Sequence, residues 1–228
     1  MIPNKKKFTT GLILMAMFVV ILVAIFMPLF NGHNGLEYLD NLYNSISKGS
    51  AYYIDTVRTE VQTLEQSNLT MNLTLASELQ AQQTVPLFMK AGAQVGQEGN
   101  QLTVTGNMAK ILGYCLDDAQ LMYDNDGAAV SAKYGYAEKA ALYNWWSALK
   151  AMDFSLKKQK EFKAAKIAET VKAKAVETAY NYYGIEGQNI SDRFGVVLFS
   201  LIFYVVYTLW YGFGIMNLFE GWGLRLEH

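Results

Sequence analysis

GLILMAMFVVILVAIFMPLF, residues Gly11 to Phe30, is a run of twenty positions without one charged or amide side chain. At ~1.5 Å per residue a helix of this length covers roughly 30 Å, the thickness of a hydrocarbon core, where only a helix or a closed barrel satisfies every backbone group. Lys5, Lys6 and Lys7 precede it and no acid occurs from Met1 to Phe30, so the positive-inside bias keeps the N-terminus in the cytoplasm. The run exceeds a signal-peptide core of ~7 to 15 residues and leaves through Met27-Pro28-Leu29-Phe30 rather than a small-residue cleavage site. It reads as an uncleaved signal anchor.

A second uncharged run, Phe194 to Phe219, brings the chain back. The expected order is a cytoplasmic segment (1–10), a first membrane helix (11–30), an extracytoplasmic domain (31–193), a second membrane helix (194–219) and a short cytoplasmic tail (220–228). The last residues, Leu226-Glu227-His228, have the form of a purification-tag remnant and are set aside. Localisation is therefore the cell membrane, with both termini cytoplasmic. The net charge of −1 lacks the basic excess of a nucleic-acid binder. Cys115 is the single cysteine, so no intrachain disulfide forms and stability rests on packing.

The segment between the two runs shows helical spacing. Leu36, Leu39, Tyr43, Ile46, Tyr53, Val57, Val61 and Leu64 recur at three- and four-residue steps, with a possible bend at Gly49. The spacing continues through Met71, Leu75 and Leu79 to Pro86, with a break expected near Ser67. The glycine-rich stretch from Ala91 to Gly106 reads as a loop. Gln101 to Thr105 alternates like a strand but has no evident partner, so it is expected to be irregular. Helices follow from Asn107 to Met122, from Ala128 to Met152, and from Leu156 to Tyr183, the last capped by Asp153 or Ser155. The fold class is all-α: two transmembrane helices flanking a bundle of about five helices.

Candidate sites stand beside plainer readings. His33, Glu37 and Asp40 fall at i, i+4 and i+7, a possible metal set, although acids at a helix start also complement the macrodipole. Asp117, Asp118, Asp124 and Asp126 gather carboxylates but miss calcium-loop spacing. No nucleophile motif occurs and Cys115 lies on an apolar stripe, so neither catalysis nor a cofactor is expected. Lys157, Lys158, Lys160, Lys163 and Lys166, with Lys172 and Lys174, make a basic helix that is either a solvated face or a docking surface. Trp145 and Trp146 cannot both face one direction; one enters the core and the other is free to meet a partner or ligand. In the second run Ser200, Tyr204, Tyr207, Thr208 and Tyr211 place hydroxyls on one side, for helix packing or for an aqueous path.

These features point to a non-enzymatic two-pass membrane protein, a homo-oligomeric conduit or a structural subunit of a membrane assembly. The alternative is the ligand-sensing input module of a chemoreceptor or sensor kinase with its output removed. Expected partners are the lipid bilayer and further copies of the chain, with other membrane subunits as a further option, and not nucleic acid.

Overall fold

The structure is a computed structural model that describes residues 2–224. The proposed tag remnant, Leu226 to His228, lies outside the described residues. The chain is mostly helical, 71% helix and 9% strand, and divides into two compact units: residues 1–49 with 187–228, and residues 50–186. In chain order the elements are α1 (Lys5–Phe26), α2 (Gly35–Ser50), α3 (Ile54–Gln62), β1 (Asn68–Thr74), α4 (Glu78–Lys90), β2 (Gln94–Glu98) and β3 (Gln101–Asn107). They continue with α5 (Met108–Tyr123), α6 (Gly127–Tyr134), α7 (Glu138–Lys158), α8 (Phe162–Val171), a π-turn (Lys172–Val176), α9 (Glu177–Tyr182) and α10 (Ile190–Gly221).

In the first unit, α1 and α10 are each long and apolar enough to cross a membrane. Val20 and Phe199 remain 68% and 67% exposed, which is unlike the core helix of a soluble protein. The Asn4 side chain caps α1 by accepting from the Lys7 N–H at 3.1 Å. The helix stops at Phe26, four residues short of the expected Phe30. Pro28 is the cause: it drives the residue before it, Met27, into extended backbone. α10 runs past both expected ends of its apolar run and, at ~1.5 Å per residue, is roughly 48 Å long.

The two helices pack antiparallel. As α1 rises from Asn4 to Leu14 and Phe18, its partners on α10 fall from Gly221 to Trp210 and Tyr207. Glycine makes the close approach possible: a Cβ on Gly11 would lie 2.6 Å from the Leu218 nitrogen, and one on Gly214 would lie 2.8 Å from the Met15 sulfur. Lys7 pairs with Glu220 at one end of the hairpin. α2 packs near the other end, and Gly49 lies in its last turn rather than at a bend in its middle. A Cβ there would sit 2.7 Å from the Gln188 carbonyl oxygen, and the Gln188 N–H bonds the Ser45 carbonyl at 3.0 Å.

The second unit corrects the all-α expectation. It contains a three-stranded antiparallel sheet of order β1-β3-β2. NLTMNLT, read above as interrupted helix, is the edge strand β1, and the presumed loop at Ala91 to Gly106 is largely the β2–β3 hairpin. Its two-residue turn, Gly99-Asn100, starts with Gly99 at φ 55°, as a II′ turn requires. Along β1, Leu69, Met71 and Leu73 turn inward while Thr70, Asn72 and Thr74 stay exposed, the period-two pattern of a half-buried strand. Gln101 to Thr105 does find partners, one strand on each side.

Helix boundaries also differ from expectation: the helix expected from Ala128 to Met152 breaks at Gly135, which takes φ 78°, into α6 and α7. α4 continues through Pro86 to Lys90 because Leu87 and Phe88 are fully buried. Burying both contributes ~1.5–3 kcal/mol each, enough to offset the ~3 kcal/mol cost of an interior proline. α7 runs through Asp153 and Ser155, which therefore cap nothing. The basic helix expected from Leu156 is divided at Gln159 to Glu161, where Lys160 takes φ 66°. The core joins the inner sheet face to α5, α7 and α8, with Phe88 edge-on to Trp145 at 5.5 Å.

Candidate functional site

Helix α7 carries two different faces. Ala141, Leu142, Trp145, Ala148, Leu149 and Met152 are buried. Tyr143, Trp146, Lys150, Phe154 and Lys158 follow one another at steps of three and four residues, which aligns them along a second face. This face forms one wall of a groove of about 850 Å³; the other wall is strand β1, with Thr70, Asn72 and Thr74. Among the described residues no histidine, cysteine or carboxylate lines it, and Lys150 and Lys158 are the charged ones that do.

The edge of β1 beside the groove is already closed by side chains. Ser155 Oγ accepts from the Asn72 N–H at 3.2 Å, and Gln159 Nε2 donates to the Thr70 carbonyl at 3.0 Å. Covering an edge in this way blocks strand addition. Below them Gln80 Nε2 donates to Ser147 Oγ at 3.0 Å, which fixes another amide at the groove floor.

The adjacent tryptophans separate as expected of neighbours on a helix. Trp145 is fully buried and its Nε1 donates to Asp118 Oδ2 at 2.7 Å. Trp146 is half-buried at the groove, stacked on Tyr143 at 5.9 Å, with Lys150 Nζ 5.3 Å and Lys172 Nζ 5.8 Å from its ring. Its Nε1 donates to Glu177 Oε1 at 2.7 Å. The π-turn makes this possible: the Glu177 N–H bonds the carbonyl of Lys172, five residues back, so both side chains come toward one face where an α-helix would splay them. On the far side of Trp146 a smaller cavity of about 290 Å³ is bounded by Leu142, Val176 and Tyr180.

Asp118 is fully buried yet saturated. It accepts from Lys133 Nζ at 2.6 Å, from Trp145 and from the Tyr134 hydroxyl. Burial and then the Asp118 carboxylate push the Tyr134 phenol up. Burial alone would lower Lys133, but its hydrogen bonds and charge interactions with Asp118 and Tyr114 win and raise it. A carboxylate so paired is structural. The other acids of that segment are dispersed: Asp117 pairs with Arg58 at 2.9 Å and Asp126 caps α6.

The structure does not gather the expected metal set. Glu37 is engaged in a capping box with Asn34, each accepting from the other's N–H at 3.2 and 2.9 Å. His33 Nδ1 stands 3.5 Å from Glu37 Oε2, while Asp40 accepts from Asn44. Among the described residues no group of three or more such side chains could hold a metal ion. The lysine run is no single face either. Lys157 bonds Asp153 at 2.7 Å, Lys158 lies over Phe154 at 4.3 Å, and Lys160 is in the turn. Lys163 donates to the Thr63 carbonyl at 3.3 Å from α8, where Lys166 is exposed.

Of the hydroxyl stripe, Tyr207 donates to the Phe18 carbonyl at 2.9 Å, and Ser200 bonds Tyr43 at 2.6 Å. Thr208 turns back to its own helix at Tyr204. Tyr204 is 69% exposed, and Tyr211 leans on Phe18 with ring centroids at 5.2 Å. Trp210, absent from the expected set, donates to the Leu14 carbonyl at 3.0 Å. Lys150, Phe154 and Glu177 are also absent from the expected set; Phe154 joins the three-and-four series of Tyr143, Trp146 and Lys150 only once α7 is followed beyond Met152.

Compared with known proteins, the chain matches no family model, no curated protein and no solved structure.

Proposed function

We propose that the chain is a non-enzymatic, two-pass membrane protein in which residues 50–186 form an extracytoplasmic recognition domain, borne on a helical hairpin that anchors rather than conducts. The observation that carries this reading is the destination of the intramembrane polar groups. Tyr207, Trp210 and Ser200 find acceptors or partners within their own unit, so they are not left to line an aqueous path. The groove along α7, which among the described residues brings aromatic, hydroxyl, amide and ammonium groups together without a histidine, cysteine or carboxylate, supports binding in place of chemistry. Lys5, Lys6 and Lys7 support the orientation with both termini cytoplasmic.

Membership of a larger assembly keeps one specific support: the Tyr204 hydroxyl lies on the exposed side of α10, where a second copy or another membrane subunit would offer it a partner.

Thiol labelling in intact cells tests the topology. Cys115 is fully buried and burial raises its thiol pKa, so the native background is low. Gln97→Cys, in the exposed hairpin, is expected to react with an impermeant maleimide, and Lys6→Cys only after the membrane is opened. The reverse pattern overturns the reading.

A further inference from the structure

We infer that the groove between β1 and α7 takes an acidic oligosaccharide, a short chain of sugar rings some of which carry carboxylates. The inference rests on the recognition role proposed above and adds the ligand class.

The aromatic wall is open to solvent. Tyr143 is 52% and Phe154 63% exposed, and they stand eleven residue steps apart on the helix, roughly 16 Å at ~1.5 Å per step. Flat, exposed rings spaced along a trough suit the apolar C–H faces of successive sugar rings. The opposite wall supplies neutral hydroxyls and amides, Thr70, Asn72, Thr74 and Gln159, which match hydroxyls of a polyol. Lys150 and Lys158, with no carboxylate between them, select a ligand of sparse negative charge.

Two other polymers fit less well. An acidic peptide adding as a strand along β1 would have to displace Ser155 from the Asn72 N–H and Gln159 from the Thr70 carbonyl. A single-stranded polynucleotide stacks on aromatic side chains but brings one charge per nucleotide and tracks a strongly basic groove; here lysines are the minority among neutral polar groups.

The test uses the full-length chain in detergent micelles. An unsulfated chondroitin tetrasaccharide, a hyaluronan tetrasaccharide, maltotetraose and an oligodeoxythymidylate are titrated against its tryptophan emission. Saturable binding of at least one acidic sugar is expected, with the neutral sugar and the oligonucleotide about tenfold weaker or more. Phe154→Ala and Lys150→Gln/Lys158→Gln alter exposed positions and are expected to weaken binding about tenfold without moving the melting temperature. Saturation by neither acidic sugar, unchanged binding by both variants, or tighter binding of the oligonucleotide overturns the inference. Topology is read separately. Labelled Gln97→Cys without sugar binding removes only the ligand class; sugar binding with unlabelled Gln97→Cys removes only the extracytoplasmic placement.

Discussion

The Tyr207 hydroxyl donates to the main-chain carbonyl of Phe18 at 2.9 Å while its ring stacks on the Phe18 ring at 4.3 Å. One side chain thus joins α1 and α10 by a polar and an apolar contact at once. Four residues along α1, Trp210 repeats the polar half of that contact at Leu14. Two carbonyls on one face of α1 therefore receive side-chain donors from α10, and this ladder fixes the register of the hairpin.

Tyr207→Phe keeps the ring and removes the donor. Intramembrane hydrogen bonds average ~0.6 kcal/mol with a maximum of ~1.7 kcal/mol, so the single change is expected to lower hairpin stability modestly. Adding Trp210→Phe is expected to roughly double the loss. Unfolding in mixed detergent, followed by circular dichroism, measures both. A double variant as stable as the wild type would mean that the register of α1 against α10 is wrong.

Gly11→Ala is expected to cost more than Tyr207→Phe, although alanine favours an isolated helix by ~1 kcal/mol. The new Cβ would meet the Leu218 backbone nitrogen at 2.6 Å, and backbone cannot step aside as a side-chain tip does. Gly212→Ala is the control, since a Cβ there meets nothing within 4 Å. The same unfolding measurement should show a loss for Gly11→Ala and none for Gly212→Ala.

The Asp118 cluster makes stability depend on alkaline pH. Tyr134 and Lys133 both have raised pKa values in the folded chain, so the folded state keeps protons that the unfolded state releases above pH ~10. Their contribution is fully present below pH ~10 and falls as pH rises through the folded values. Melting temperatures of the full-length chain are expected to hold from neutral pH to about 10 and then drop, and Tyr134→Phe should flatten part of that drop. A melting curve insensitive to pH between about 9 and 11 would contradict this.

The sequence makes the apolar runs plain because twenty uncharged residues have few alternatives, yet it hides where α1 ends, which Pro28 decides through its neighbour. The sheet was illegible for a different reason. β1 and β3 pair across the whole of α4 and β2, so Gln101 to Thr105 has no partner beside it in sequence, and its actual partner, NLTMNLT, falls in with helical spacing through Met71, Leu75 and Leu79. Leu79 is 63% exposed; its place in that series was coincidence. The groove suffered from the same kind of error. Ending α7 at Met152 severed Phe154 and Lys158 from Tyr143 and Trp146, and a lysine-rich run then stood out by composition where the working feature is spacing.

The π-turn gives the last prediction. A π-turn is one residue more than an α-helix needs, so deleting exposed Ala173 is expected to restore continuous α-helix while leaving the buried Val171, Ala175 and Ala179 in the core. Lys172 and Glu177 then become i,i+4 neighbours, which still share one face of an α-helix, so Trp146 Nε1 is expected to keep the acceptor it holds at 2.7 Å. Hydrogen bonds to a charged group contribute ~1.5–3 kcal/mol, so Glu177→Ala, and not the deletion, should lower stability by about that amount with helix content unchanged. It should also shift the Trp146 part of the emission to the red, a part identified by difference from Trp146→Phe. Glu177→Gln retains a carbonyl acceptor and is expected to shift the emission less than Glu177→Ala. Unchanged emission in Glu177→Ala, or a red shift after the deletion with the helix intact, would show that Glu177 on this face does not hold the groove tryptophan.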